Sequence, residues 1–272
     1  MKKSSRLLIL FISLTCIPFF SSWGTFGHEH INRAAVLALP DSMRVFFFNH
    51  IDFITQESTV PDLRKYTMLD KTETPKHYID LEKFGSIDSI PRNYTEATLK
   101  YKPEFLNEYG IVPWYIQEMM DKLTKAFKGK RKTEILFLAA DLAHYIGDAH
   151  MPLHTSINHD GQLTDQRGIH ALWESRLPEM FGTNYDYHVT SATYIKDVQK
   201  ETWNVILHSF KLTDTVLLTD KNLRAKLTKE KIFKLDEKGN IQKNKFNQNI
   251  FTDEYSEQYH EALNGMIEKR MR

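Results

Sequence analysis

The chain contains very little cysteine, since Cys16 is the single cysteine among its 272 residues. Disulfide bonds within the chain and thiolate metal sites are therefore excluded, and any bound metal must be held by nitrogen and oxygen ligands. No Cys-x-x-Cys-His segment occurs, which excludes a c-type haem attachment site. An excess of charge of one sign is also absent, because 36 Lys and Arg residues face 35 Asp and Glu residues. This balance excludes a strongly basic nucleic-acid binder and a self-repelling acidic tail.

A hydrophobic run long enough to cross a membrane is lacking at the N-terminus. The apolar stretch from Leu7 to Phe20 has about 14 residues, whereas a membrane-spanning helix needs about 20. Basic residues precede this stretch and Ser21-Ser22 follows it, which is the pattern of a secretory signal peptide. We therefore expect residues 1–22 to be removed and residues 23–272 to act outside the cytoplasm, in the periplasm or the medium. No transmembrane segment is expected after this cleavage.

Two alternatives for the N-terminus remain open. The apolar stretch could be a buried N-terminal helix of the folded domain. It could also direct lipid attachment at Cys16, although Leu14-Thr15 directly before the cysteine departs from the usual lipoprotein pattern. Either alternative would leave Trp23 inside a longer chain.

Strand-like alternation is scarce in the remaining sequence, and helical periodicity dominates. Apolar residues recur at three- and four-residue spacing in six segments: His28-Leu39, Val112-Phe127, Thr133-Asp148, Ile169-Leu177, Ser191-His208 and Tyr255-Arg270. The segment Ile232-Lys245 fits either a hairpin or a polar loop around Gly239. No internal repeat or long linker divides the chain. We predict an all-α fold consisting of a single, mainly helical domain.

Histidine and carboxylate residues are concentrated between positions 144 and 174. His144 and Asp148 lie four residues apart on a predicted helix, so both side chains leave the same face and can reach one cation. His170 and Glu174 repeat this spacing, and His154 lies between the two pairs beyond Pro152. Imidazole nitrogen and carboxylate oxygen are ordinary zinc ligands. The segment therefore predicts a metal site, although either pair alone would fit a helix surface salt bridge.

Three further segments offer metal ligands. Cleavage before Trp23 would expose an α-amine that, with the Trp23 carbonyl, can chelate a metal, and His28 lies close by in the sequence. Asp62 and His77 supply another carboxylate and another imidazole, although each alone also fits a turn or a helix start.

Taken in order, these residues resemble the ligand pattern of the zinc-dependent phospholipases C and the single-strand-specific nucleases. The most specific part is His144-Tyr-Ile-Gly-Asp148 followed by Pro152 and His154. The resemblance implies a mainly helical fold that binds three zinc ions. It implies one zinc on Asp62, His77, His144 and Asp148, a second on His154, His170 and Glu174, and a third on Trp23, His28 and Asp148.

The resemblance also implies hydrolysis of a phosphodiester by a metal-bound hydroxide. Asp62 is then a candidate general base. Lys65, or alternatively Arg64, is a candidate cation for a phosphate oxygen, because Lys65 has the spacing of the nuclease lysine. The substrate would be a phospholipid head group or a nucleic-acid phosphodiester, and the sequence indicates no protein partner.

The sequence points two ways on the substrate. The gaps from Trp23 to His28 and from Asp62 to His77 resemble the nucleases. Glu174 and the segment Gly168-Ile-His170 before it resemble the bacterial phospholipases C, whereas Asp160-Gly161-Gln162 departs from the Gly-Gly-Asn segment of the nucleases. We therefore expect a phospholipase C-like hydrolase, with a single-strand-specific nuclease as the alternative. A secreted protein that zinc merely stabilises, without turnover, is the third hypothesis.

Overall fold

The structure is a computed structural model that describes residues 24–244 and 247–272. The proposed signal peptide, Cys16 and Trp23 lie outside these residues. The described chain is built from helices, and its β pairing is limited to isolated antiparallel bridges. The predicted all-α fold is confirmed. No helix of the described residues is long and apolar enough to cross a membrane.

Fourteen α-helices are present in the described residues. Their bounds are α1 Gly24–Ala38, α2 Asp41–Phe48, α3 Ile51–Glu57, α4 Val60–Tyr66, α5 Tyr94–Lys100, α6 Pro103–Tyr109, α7 Val112–Lys128, α8 Lys132–His150, α9 Ile169–Ala171, α10 Leu177–Phe181, α11 Val198–Arg224, α12 Lys229–Ile232, α13 Asp253–Ala262 and α14 Met266–Met271. Short 3₁₀ helices span Thr74–His77, Leu81–Phe84, Ile87–Ser89, Pro152–Thr155 and Gly182–Asn184, and a π-helical turn, Leu172–Arg176, joins α9 to α10.

Helix α8 is the central element of the fold. It packs against α1, α3, α7 and α11, and residues such as Leu142 and Tyr145 are buried along its length. Helix α1 lies directly against Gly147, where a Cβ atom would stand at van der Waals distance, 3.4 Å, from His28 Nδ1. The helix ends at His150, and Pro152 begins the next turn, which is consistent with a proline that cannot continue the helix.

Three groups of buried apolar residues surround α8. One contains Trp114 and Trp203 between α7, α8 and α11, and a second contains Phe47 and Ile54 beneath α2 and α3. The third holds Trp173, Tyr255 and Tyr259, and it joins the π turn to the C-terminal helices. Because α8 borders more than one of these groups, its polar residues are fixed in position by packing on several sides.

Two of the predicted helices differ from the structure. Residues from Ser191 to Asp197 are not helical, and α11 begins only where the Asp197 carboxylate accepts a hydrogen bond from Lys200 N. The Ala192 amide instead donates to the Ala38 carbonyl, which ties this stretch to the end of α1. The predicted C-terminal helix is interrupted between α13 and α14, where Asn264 and Gly265 have positive φ. Gly265 permits this turn at little cost.

The described part of the segment Ile232-Lys245, residues 232–244, is intermediate between the two predicted forms. It is paired through single bridges, Phe233 with Phe251 and Leu235 with Ile241, and Gly239 occupies the turn with φ of 77°. The Asp236 carboxylate accepts backbone hydrogen bonds from Lys238 and Asn240 across this turn. The result is a hairpin-like loop without a continuous strand.

Candidate metal centre

Helix α8 presents His144 and Asp148 on the same face, as their spacing predicts. Both side chains are fully buried, and His144 Nε2 lies 3.3 Å from Asp148 Oδ2. The 3₁₀ helix Thr74–His77 brings the Nδ1 atom of His77 to 2.8 Å from the same oxygen and 3.2 Å from His144 Nε2. Asp62 in α4 completes this group, with its Oδ1 atom 3.7 Å from His77 Nδ1.

The second oxygen of Asp148 faces a different histidine. Asp148 Oδ1 lies 3.6 Å from Nε2 of His28, which α1 supplies, and His28 stacks on His144 with ring centroids 3.8 Å apart. The ligand atoms of His28, His144 and Asp148 lie within 4.8 Å of one another. Asp148 is thus positioned between two groups of nitrogen donors.

A separate group contains His154, His170 and Glu174. His170 Nε2 lies 2.6 Å from Glu174 Oε2, and His154 Nε2 lies 3.4 Å from Glu174 Oε1. His170 stands in α9 and Glu174 in the π turn that follows it, so the pair keeps its four-residue spacing within a locally widened helix. π turns often occur at functional sites because they redirect side chains.

Backbone carbonyls orient three of the imidazole rings. His144 Nδ1 donates to Ser58 O at 2.7 Å, His154 Nδ1 to His77 O at 2.8 Å, and His170 Nδ1 to His159 O at 2.9 Å. A carbonyl can only accept, so each ring carries a proton on Nδ1, and Nε2 is the nitrogen whose lone pair becomes available to a metal when Nε2 is deprotonated. In all three rings that Nε2 atom faces a carboxylate of the cluster.

Negative charge accumulates at the centre of this cluster. Burial alone lowers the pKa of His144, but Asp148 and its hydrogen bond outweigh that effect and raise the pKa to about 9. Burial also raises the pKa of Glu174, yet His170 and His154 hold it far below its ordinary value. Buried carboxylates that remain ionised beside imidazoles provide the field that attracts a metal cation.

The donor atoms fit a zinc ion. Two ligands of one tetrahedral zinc, each about 2.05 Å from the metal, lie roughly 3.3 Å apart, and the donor pairs around Asp148 Oδ2 are separated by 2.8 to 3.3 Å. Asp148 Oδ1 and Glu174 Oε1 are buried without a hydrogen-bond partner among the described residues, although both face histidine nitrogens. The types of ligand, the distances between the donor atoms and the carboxylate oxygens without a hydrogen-bond partner therefore all suit zinc.

A cleft with a volume of about 540 Å³ opens beside the cluster. Its wall includes His77, His154 and His170 together with Lys65, Tyr66 and Tyr78. The Lys65 ammonium lies 4.6 Å from the centre of the Tyr66 ring. Arg64, the alternative phosphate-binding cation, instead forms ion pairs with Asp141 and Glu73 at 2.8 and 3.1 Å. Of the two basic residues, Lys65 is the one that lines the cleft.

One predicted ligand lies outside the described residues, and the structure gives positions for three residues that were not predicted as ligands. Trp23 lies outside the described residues, so its part in a metal site stays a prediction. His150, which lies inside the motif on α8, lines a separate apolar cavity with Ile146, and its Nδ1 donates to the Ile146 carbonyl oxygen at 2.9 Å. His159, which the ligand spacing does not single out, lines the cleft beside His170. Glu73 is buried against His77, and only its four-residue spacing from His77 could have indicated this.

Comparison with known proteins agrees with this geometry. The sequence model of the S1/P1 nuclease family matches residues 23–271, which is nearly the whole of the described chain. The chain belongs to the S1/P1 nuclease family. A search of curated proteins found no match.

Membership of the S1/P1 nuclease family confirms the predicted superfamily and accounts for the helical fold and the histidine–carboxylate clusters. S1/P1 nucleases are zinc-dependent hydrolases of phosphodiester bonds, and three groups of residues here could each hold a metal. The family match does not favour phospholipids, which the sequence comparison had placed first. Glu174 and Asp160-Gly161-Gln162, which suggested phospholipase C, are local differences that occur in a chain whose overall pattern is that of a nuclease.

Proposed function

We propose that this chain is a secreted, zinc-dependent nuclease that hydrolyses phosphodiester bonds in single-stranded nucleic acid. The observation that carries this proposal is the composition of the cleft beside the metal cluster, where Lys65 stands with the rings of Tyr66 and Tyr78. Tyrosine rings bind bases by stacking, and this is possible only for bases that are not already stacked inside a duplex. A cation beside them suits the phosphate.

We assign the metal-binding and proton-accepting roles to the following residues. Asp62, His77, His144 and Asp148 would hold one zinc, His154, His170 and Glu174 a second, and Trp23, His28 and Asp148 a third. Zinc, when bound, lowers the pKa of water and offsets the negative charge of a phosphodiester. Asp62 would also act as the general base that accepts the proton lost by the attacking water.

Lys65 binds a phosphate oxygen of the substrate. Its pKa is raised overall, because the attraction of Tyr66 and Asp62 exceeds the effect of burial, so the side chain stays protonated at neutral pH. A fixed positive charge in a partly closed cleft stabilises the charge that develops on the phosphate during hydrolysis. The balanced net charge of the chain is no obstacle, since a single cation and the metals provide the local attraction.

A phospholipase C-like activity is the second candidate. Glu174 favours it, because a glutamate at this ligand position resembles the phospholipases C, whereas the nucleases usually have an aspartate there. Family membership favours hydrolysis over the third hypothesis, a protein that zinc only stabilises.

The test is a comparison of substrates with the purified chain beginning at Trp23. Single-stranded RNA, single-stranded DNA, duplex DNA and phosphatidylcholine vesicles are incubated with zinc-loaded protein, and the products are separated and identified. We expect cleavage of the single strands at least tenfold faster than that of the duplex and no release of phosphocholine. Release of phosphocholine without cleavage of either single strand would overturn the proposal in favour of a phospholipase.

A further inference from the structure

A buried polar network lies directly behind the metal-binding face of His77. Its centre is Glu73, whose side chain is 1% exposed. Glu73 Oε2 accepts from Arg64 Nε at 3.1 Å and from Lys76 Nζ at 3.0 Å, while Oε1 accepts from the Tyr145 hydroxyl. Arg64 also donates to the Tyr145 hydroxyl at 3.1 Å, so the network is closed. Nothing in the proposed hydrolysis uses these groups.

His77 differs from the other histidines of the cluster in the nitrogen that faces the ligands. Its Nδ1 atom, and not Nε2, lies 2.8 Å from Asp148 and 3.2 Å from His144. A ring that binds metal through Nδ1 must carry its proton on Nε2. His77 Nε2 is buried without a hydrogen-bond partner of ordinary length among the described residues. Glu73 Oε1 lies opposite it at 3.5 Å.

We propose that Glu73 is a positioning residue that fixes the ring of His77 for metal binding, and that Arg64, Tyr145 and Lys76 hold the Glu73 carboxylate in place for this task. A carboxylate behind a metal-binding histidine selects the tautomer, fixes the ring and makes the nitrogen more basic. A contraction of a few tenths of an ångström turns the 3.5 Å contact into a hydrogen bond.

The network also joins the segments that carry the first group of ligands. Arg64 follows Asp62 by two residues, Tyr145 follows His144 directly, and Lys76 precedes His77 directly. Each of these segments is therefore tied to the same carboxylate. Loss of the Glu73 charge should loosen the site formed by Asp62, His77, His144 and Asp148, while the group containing Glu174 shares no residue with the network.

The experiment measures zinc release, which needs no substrate. The zinc-loaded chain beginning at Trp23 is mixed with an excess of a chromogenic chelator, and the release of each zinc is followed by absorbance. For Glu73→Gln we expect one zinc to leave 10- to 100-fold faster than from the unsubstituted chain. The remaining zinc should leave at the unsubstituted rate, and kcat should fall more than KM changes, because Glu73 does not line the cleft.

Asp220→Asn is the matched control. Asp220 is also a fully buried carboxylate held by an arginine and a tyrosine, Arg224 at 2.7 Å and Tyr255 at 2.6 Å, but it contacts no residue of the metal cluster. Both variants should lower the melting temperature. Equal zinc-release rates in Glu73→Gln and Asp220→Asn would overturn the positioning role.

Tyr145→Phe keeps the inference testable if Glu73→Gln does not fold. It removes one hydrogen bond to Glu73 and keeps the aromatic ring that packs in the core. We expect one zinc to leave a few-fold faster, and unchanged release would contradict the proposal. Because zinc release is measured without nucleic acid or lipid in both variants, a failure here is distinguishable from a failure of the proposed nuclease activity.

Discussion

Asp148 is the residue on which most of the centre depends. Its two oxygens face His28 on one side and His77 and His144 on the other, all within 3.6 Å. We predict that Asp148→Ala is the most damaging single substitution and leaves less than about a tenth of the phosphodiesterase turnover, since a shared ligand is lost from two metal sites. Turnover and zinc content measured together test this. A variant that keeps more than that activity would contradict the shared role.

Lys65 is predicted to act on the substrate and not on the metals. Lys65→Met should lower kcat/KM about 100- to 1000-fold, the range observed when one charge-stabilising group is removed, while the zinc content stays unchanged. Lys71→Met, at an exposed position of the following segment, is the control. Steady-state kinetics on a single-stranded oligonucleotide, with metal analysis of both variants, separates the two effects. Equal rates for the two variants would refute a role for Lys65.

Asp80, on the wall of the cleft, is predicted to make stability depend on pH. Burial, and next the nearby Glu82, raise the pKa of Asp80 from 3.8 to about 6. The folded state thus favours the protonated form. The stabilisation this provides is complete below pH 3.8 and is lost as the pH rises through about 6, so the ionised carboxylate costs stability at neutral pH.

Asp80→Asn should therefore stabilise zinc-free protein by about 1 kcal/mol at pH 7.5, a value reduced for solvent screening, and by much less at pH 4. Urea unfolding at the two pH values measures this, with Asp88→Asn at a neighbouring exposed position as the control. A gain of the same size at both pH values would show that ionisation of Asp80 is not the cause.

At the scale of elements, the start of α9 determines where His170 stands. The Asp160 carboxylate accepts from the amides of Gly168 and His170 at 2.9 and 3.3 Å, and Gly168 has a φ of 94° that favours glycine. Asp160→Ala should lower the free energy of unfolding by about 1 kcal/mol, as for the loss of a helix cap. It should also speed the loss of one zinc, because His170 loses its anchor.

Asp197→Ala provides the comparison for this prediction. Asp197 caps α11 in the same manner, through Lys200 N at 2.9 Å, but α11 carries none of the predicted ligands. Thermal unfolding of the zinc-free variants and zinc retention of the loaded ones should show similar losses of stability and different losses of metal. Similar zinc retention would mean that Asp160 acts only on stability.

The sequence predicts those parts of the site that depend on residues close together in the chain. The four-residue spacing of His144 and Asp148, and of His170 and Glu174, places each pair on one helix face, and the structure brings them together. The helix predicted from Ser191 fails for the opposite reason: its first residues are held by a bond to Ala38, more than 150 positions earlier, which no local pattern can reveal.

The network around Glu73 also could not be predicted from local sequence patterns. Arg64, Glu73 and Tyr145 come from three segments, and their meeting depends on how α4, α8 and the Thr74–His77 turn pack. In the sequence, Arg64 fits a phosphate-binding residue as well as Lys65 does. Packing decides between them, since Arg64 is turned toward Asp141 and Glu73 and Lys65 toward the cleft.

At the scale of the whole molecule, assembly of the centre is predicted to depend on N-terminal processing. The first described residue, Gly24, donates from its amide to Ser175 Oγ at 3.2 Å, next to Glu174. A free α-amine on Trp23 can donate a lone pair to zinc, whereas the amide of an uncleaved chain cannot, because its nitrogen is planar and weakly basic. We predict that one extra residue before Trp23 removes one zinc and most activity.

The other two zincs should remain, and circular dichroism should show an unchanged fold. The same residue added after Arg272 is the control. A chain with the extension directly before Trp23 that bound three zincs and retained full turnover would contradict both the chelate and the proposed cleavage after Ser22.

The backbone carbonyls that orient His144, His154 and His170 affect which mutations the protein can tolerate. Every amino acid supplies the same carbonyl, so substitutions at Ser58 or His159 can leave these hydrogen bonds in place. Insertion or deletion of a residue in either segment would instead move the acceptor away from the ring. In a deep mutational scan, we expect the fully buried position 58 to tolerate small residues and the exposed position 159 to tolerate many residue types, with the carbonyls still accepting from the rings, while single-residue length changes beside them are lost. The constraint at these places would therefore act on the length of the segment more than on the type of residue that it contains.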